Sequence, residues 1–183
     1  MQQKLDFARD GEAWPNREAS RFVEAAGLKW HVQVMGEGPV VLLVHGTGAS
    51  SHSFGELAKI LSAAFTVVVP DLPGHGFTDL PAPSRLSLPE MAEDLSALLK
   101  TLRFEPMLVV GHSAGAAILI EMCLDELIEP KAIMSINGAL LPFGSMVGQF
   151  FSPMAKLLVL NPFVPKLFAW RASSDVAVER LIG

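Results

Sequence analysis

Short, mostly apolar runs at Val40–Val44, Phe65–Val69, Met107–Val110 and Ala132–Ile136 set the rhythm of this chain. Each is too short for a helix and rich in β-branched residues, Leu or Ile, the texture of a strand covered on both faces. The segments between them carry helical spacing instead. Phe54–Leu61 reads as a short helix. Further on, Leu88, Met91, Leu95, Leu98 and Leu102 recur as one stripe behind Ser87-Leu88-Pro89-Glu90, a capping box with proline in the first turn. A third helix is expected over 116–127. Strands alternating with helices predict an α/β fold, a mostly parallel sheet with helices on both faces and right-handed crossovers.

The flanks differ from this centre. Ser20–Ala26 and Leu28–Met35 read as a hairpin around Gly27, followed by a turn at Gly36-Glu37-Gly38-Pro39. The first nineteen residues are polar and contain Trp14-Pro15-Asn16, the pattern of an N-terminal arm. From Leu140 to Leu167 the chain is rich in Phe, Met, Leu and Pro with few charges, which fits a helical lid or, equally, core helices of a larger domain. The predicted plan is therefore an arm (1–19), a core (20–139) and an incomplete lid segment (140–183). A helix-like stretch from Ser173 stops at Gly183, so the sequence predicts a chain lacking its C-terminal part.

Composition narrows the classes. Half of the 183 residues are hydrophobic and 18% are charged, which excludes a mainly disordered chain. A net charge of −5 supplies no basic footprint, so no nucleic-acid partner is expected. The single cysteine, Cys123, rules out an intrachain disulfide and fits a reducing compartment. Met1–Arg9 lacks the apolar stretch of a secretory signal, and the greasy region 140–170 is broken by Pro142, Pro153, Pro162 and Pro165. The expected location is cytoplasmic, peripheral to a membrane at most, with no integral membrane segment. No Asp, Glu or His cluster has ligand-like spacing, so no metal and no cofactor are expected.

Candidate chemistry gathers at the ends of three successive predicted strands: His45-Gly46-Thr47-Gly48, then Asp71-Leu72-Pro73-Gly74-His75-Gly76, then Gly111-His112-Ser113-Ala114-Gly115. In open α/β sheets, sites form at that edge. A G-x-S-x-G run between a strand and a helix is the context of a nucleophile elbow, which makes Ser113 the candidate nucleophile. The backbone N–H of Ala114 at the helix start and that of Thr47, with Gly48 as the alternative, are the candidate oxyanion donors, worth about 3–4 kcal/mol each. His45 is expected to brace the oxyanion loop, His75 to hold a turn and Asp71 to brace a loop; His31 and His52 have no contextual claim. No histidine follows His112, although in this arrangement the base comes last in the chain.

These motifs resemble the α/β-hydrolase superfamily, in the subgroup with a lid after the sixth strand. Trp14–Ser20, Asp71–Thr78, Gly111–Ala117, Asn137–Phe143 and Asn161–Arg171 are more narrowly similar to its magnesium-chelatase accessory branch in bacteriochlorophyll biosynthesis. The resemblance implies a serine-hydrolase-like protein beside magnesium insertion into a porphyrin, with esterase-type acyl chemistry on an apolar substrate. The alternative is a non-catalytic accessory protein that binds a porphyrin or a magnesium-chelatase component. In either case Phe143, Phe150, Phe151, Phe163 and Phe168 would roof the pocket. It also places an Asp and a His beyond Gly183; where some members carry the acid after the sixth strand, this chain has Asn137, which cannot act as a carboxylate.

Overall fold

The computed structural model describes residues 5–138. The chain divides into two compact units, Met1–Leu140 and Leu141–Gly183, and all described residues belong to the first. The expected lid and its phenylalanines (Phe143, Phe150, Phe151, Phe163 and Phe168) lie outside the described residues.

A six-stranded sheet organises the first unit, in the order β1-β2-β4-β3-β5-β6. β1 (Ser20–Ala25) and β2 (Leu28–Met35) form the predicted hairpin, pairing Ala25 with Leu28 across a turn where Ala26 and Gly27 both take positive φ. β2 then runs antiparallel to β4 (Thr66–Pro70). β3 (Val40–Val44), β4, β5 (Leu108–His112) and β6 (Ala132–Ile136) are mutually parallel where they pair. The fold is thus the mostly parallel α/β sheet that the alternation of elements predicts.

Period-two alternation sorts the central strands onto two cores. Leu42 and Val44 face one side, where α3 (Leu88–Leu102) and α4 (Ala114–Leu124) bury Leu95, Leu98, Ile118, Leu119 and Met122. Val41 and Leu43 face the other, against Phe54, just before α2 (Gly55–Leu61), and Ala58 in its middle. Cys123 packs at the margin of the first core, and burial raises its thiol pKa. Among the described residues no helix is long and apolar enough to cross a membrane.

Three local expectations need correction. Ser87 caps α3 only through its backbone, whose carbonyl accepts from Met91 N–H at 3.0 Å; its side chain makes no capping bond. Pro89 in the first turn has already removed one of the N–H groups a cap would serve. Leu88 lies exposed, while Ala92 and Leu99 complete the buried stripe. β6 is not covered: all five of its residues are exposed, and it forms one of the two edges of the described sheet. The arm also has structure of its own, with a one-turn helix α1 (Phe7–Asp10) and a 3₁₀ turn at Arg17–Ala19.

Candidate active site

Three strand ends meet at one edge of the sheet. At the end of β5 the chain turns through Ser113 directly into α4, and Ser113 takes φ 52° and ψ −117°. That is a sparsely populated conformation for a residue with a Cβ, costing on the order of 1–3 kcal/mol. The surroundings hold it there. Ser113 N–H donates to Ile136 O of β6 at 3.0 Å, and Ser113 O accepts from Ala116 N–H at 3.2 Å. Its side chain makes no capping bond to the helix that follows.

The flanking glycines are required by contact. A Cβ on Gly111 would lie 2.4 Å from Ala116 Cα, and one on Gly115 would lie 2.3 Å from Val44 O. Both obstacles are backbone and cannot swing aside, so this spacing lets α4 start hard against β3 and β5. A Cβ on Gly46 would fall 2.9 Å from Ser113 Cβ. The loop after β3, which carries Thr47, therefore abuts the Ser113 turn. Thr47 itself is exposed, and Ala114 is the first residue of α4.

His45 is fully buried at the base of that loop. Leu72 N–H donates to its Nε2 at 2.9 Å, so its proton sits on Nδ1, which donates to Gly46 O at 2.8 Å. Burial, the main cause, lowers its pKa to about 4. A neutral ring with both nitrogens engaged is a brace. His75 Nδ1 donates to Pro73 O at 3.0 Å, and its ring lies 5.2 Å from that of His45. His52 is bonded to Ser50 Oγ.

Asp71, just beyond β4, is the most heavily bonded side chain at this edge. Oδ1 accepts from Ser51 N–H at 2.7 Å; Oδ2 accepts from Phe77 N–H at 3.0 Å and from His31 Nδ1 at 2.8 Å. Burial pushes its pKa up, yet the His31 bond and charge and the two amides outweigh it, and the net direction is down. His31 Nε2 lies 2.9 Å from Ser20 Oγ, which completes a Ser20–His31–Asp71 chain. His31 and Asp71 are both fully buried beneath Phe7, Phe22, Trp14 and Phe77.

Sequence reasoning gave His31 no role. The signal available was its place inside a strand, flanked by Trp30 and Val32 and two positions from Gln33, since a buried polar ring must find partners. Among the described residues no group of three His, Cys, Asp or Glu side chains could hold a metal ion.

A strand–turn–helix with a strained serine, beside a glycine-bearing loop on a parallel sheet, fits one family. The family model for the alpha/beta hydrolase fold matches residues 39–180, and the chain belongs to that family. It is 40% identical over 171 residues to the magnesium-chelatase 30 kDa subunit of Rhodobacter capsulatus, covering 92% of this chain and 60% of that protein. Epoxide hydrolase 3 of Siraitia grosvenorii is 34% identical over 122 residues, 66% of this chain and 39% of that protein. Among solved structures, an epoxide hydrolase from Vigna radiata superposes with a TM-score of 0.66 at 30% identity, over 75% of this chain and 46% of that one. The chain thus spans only part of the length of the relatives it matches.

Proposed function

We propose that this chain carries the nucleophile half of a serine-hydrolase site, with Ser113 as nucleophile and the N–H groups of Ala114 and Thr47 as oxyanion donors. The observation that carries this reading is the Ser113 conformation itself. The strained φ of 52° is held by backbone bonds, and the side chain is not used to cap the helix. It holds the hydroxyl at the sheet edge, next to the first amide of α4 and the loop after β3. The chemistry is of esterase type: Ser113 Oγ adds to an acyl carbon, and the oxyanion that forms sits between the two donors. His31, His45, His52 and His75 hold other partners. His112, the fifth histidine, is the strand residue directly before Ser113, and we assign general-base duty to a group outside the described residues.

The setting proposed is magnesium insertion into a porphyrin, with an apolar substrate or the porphyrin itself as the ligand. Its support is the 40% identity to a magnesium-chelatase subunit. Magnesium chelatase is accordingly the proposed protein partner, and the cytoplasm the proposed location. The full-length protein treated with a fluorophosphonate probe is expected to label at Ser113, and Ser113→Ala to abolish labelling. An unlabelled wild-type protein would sink the hydrolase reading.

The same identity supports a second reading, a non-catalytic accessory protein that holds a porphyrin or docks a chelatase component. It predicts that Ser113→Ala still supports pigment synthesis in cells. A folded variant that fails to do so would eliminate it.

A further inference from the structure

The loop that bears Thr47 is short, and both its ends are tied to two consecutive residues beyond β4. His45 Nε2 accepts from Leu72 N–H at one end, and Ser51 N–H donates to Asp71 Oδ1 at the other. A third tie comes from the N-terminal arm. Trp14 Nε1–H donates to Ser51 Oγ at 3.1 Å, and Asn16 Nδ2 donates to Gly55 O at 2.8 Å. These bonds bracket the 3₁₀ turn Ser51–Phe54, which directly continues the loop. Gly55 has no side chain where the arm seats: a Cβ there would lie 2.8 Å from Pro15 Cβ.

The arm in turn is anchored from behind. Fully buried Gln33 of β2 donates through Nε2 to Pro15 O at 2.6 Å and to Asn16 O at 3.1 Å. Asn16 takes the left-handed conformation, φ 53°, which asparagine tolerates better than most residues and which turns the chain into Arg17–Ala19. The Trp14 ring is held edge-on against Phe77 at 4.7 Å and His52 at 5.4 Å. A merely trailing N-terminus would not need two side-chain donors aimed at one turn and a dedicated amide behind them.

We infer that Trp14 and Asn16 are positioning residues for the Thr47 loop: the arm clamps the turn at Ser51–Gly55 and so fixes where the loop's N–H groups point. This rests on the reading of Thr47 as an oxyanion donor. Oxyanion donors act by being aimed beforehand at a charge that develops later, so a loose loop would slow the chemical step more than it weakens binding.

Amide hydrogen exchange across residues 46–51 of the full-length protein tests the clamp without any chemistry. Trp14→Phe, which keeps a ring and removes the N–H, and Asn16→Ala are each expected to speed exchange there by about five- to tenfold, one hydrogen bond's worth. Amides of β3 and α3 should stay unchanged. Fluorophosphonate inactivation, resolved into binding and rate constants, should show a fall of similar size in the rate constant with binding unaltered. Trp14→Phe combined with Ser51→Ala should be no slower than Ser51→Ala alone. Unchanged exchange at 46–51 in both variants would overturn the inference. So would a rise spread evenly through the sheet, or local loosening with an unaltered inactivation rate. A wild-type protein that never labels defeats the Ser113 chemistry, while the exchange data still decide the clamp.

Discussion

Ser113 and Asp71 both sit at the end of a sheet strand, yet they are held by opposite means. The Ser113 turn is fixed by close approach: backbone presses on Gly111 and Gly115, and Ser113 Cβ on Gly46, so closely that none of the three can carry a side chain. Its side chain is not consumed in making the turn. Asp71 is fixed by saturation, with three donors on two oxygens and no exposure. Buried carboxylates so fully bonded are part of the framework. The contrast separates two kinds of polar residue in one site: those consumed in building it, and those the building leaves available.

The saturated side should be the more fragile to truncation. Asp71→Ala strands the Ser51 and Phe77 amides and one nitrogen of His31, and is expected to cost about 3–5 kcal/mol in denaturant unfolding. Asp71→Asn should cost less because it keeps acceptor capacity. A loss under about 1 kcal/mol for the alanine variant would mean that the network is idle. Close behind comes Gly115→Ala, which drives a methyl into Val44 O and should destabilise by about 3 kcal/mol by overpacking. Thermal unfolding at the wild-type level would show that α4 can shift after all.

Acid sharpens the same comparison. The pKa of His45 is lowered to about 4, so the unfolded chain takes up its proton first. Stability from this group is whole above the ordinary histidine range and falls as pH drops from there through 4, by about 3 kcal/mol in all. Asp71, with its lowered pKa, holds its contribution further down and loses it only below the usual carboxylate range. Unfolding free energies flat between pH 7 and 4.5 would contradict the His45 brace. The smallest effect runs the other way: Ser113→Gly relieves the strained φ and should stabilise by about 1 kcal/mol while ending probe labelling.

Much of this was legible in the residues. The bounds of β3 and β6 fall where their apolar runs begin and end, because a short run between turn residues leaves few alternatives. The strand end at Ser113 was legible too, since G-x-S-x-G couples spacing to close backbone approach. The His31–Asp71 bond was not, for its partners lie forty positions apart and no local period records them. The exposure of β6 escaped as well, because an apolar run reports a strand's composition and not its rank in the sheet. The structural role of Trp14 was not legible in its arm, since the value of its N–H depends on a serine 37 residues away.

The bond from Ser113 N–H to Ile136 O has a temporal meaning. β6 is the last strand of the described sheet to be synthesised, and its final residue helps hold the turn of β5. Until residues 132–136 have emerged and docked, the Ser113 turn lacks this one hydrogen bond and rests on the close packing of its glycines. A nascent chain would therefore carry the motif before every contact that holds its geometry, and the turn gains its last backbone bond only when β6 docks.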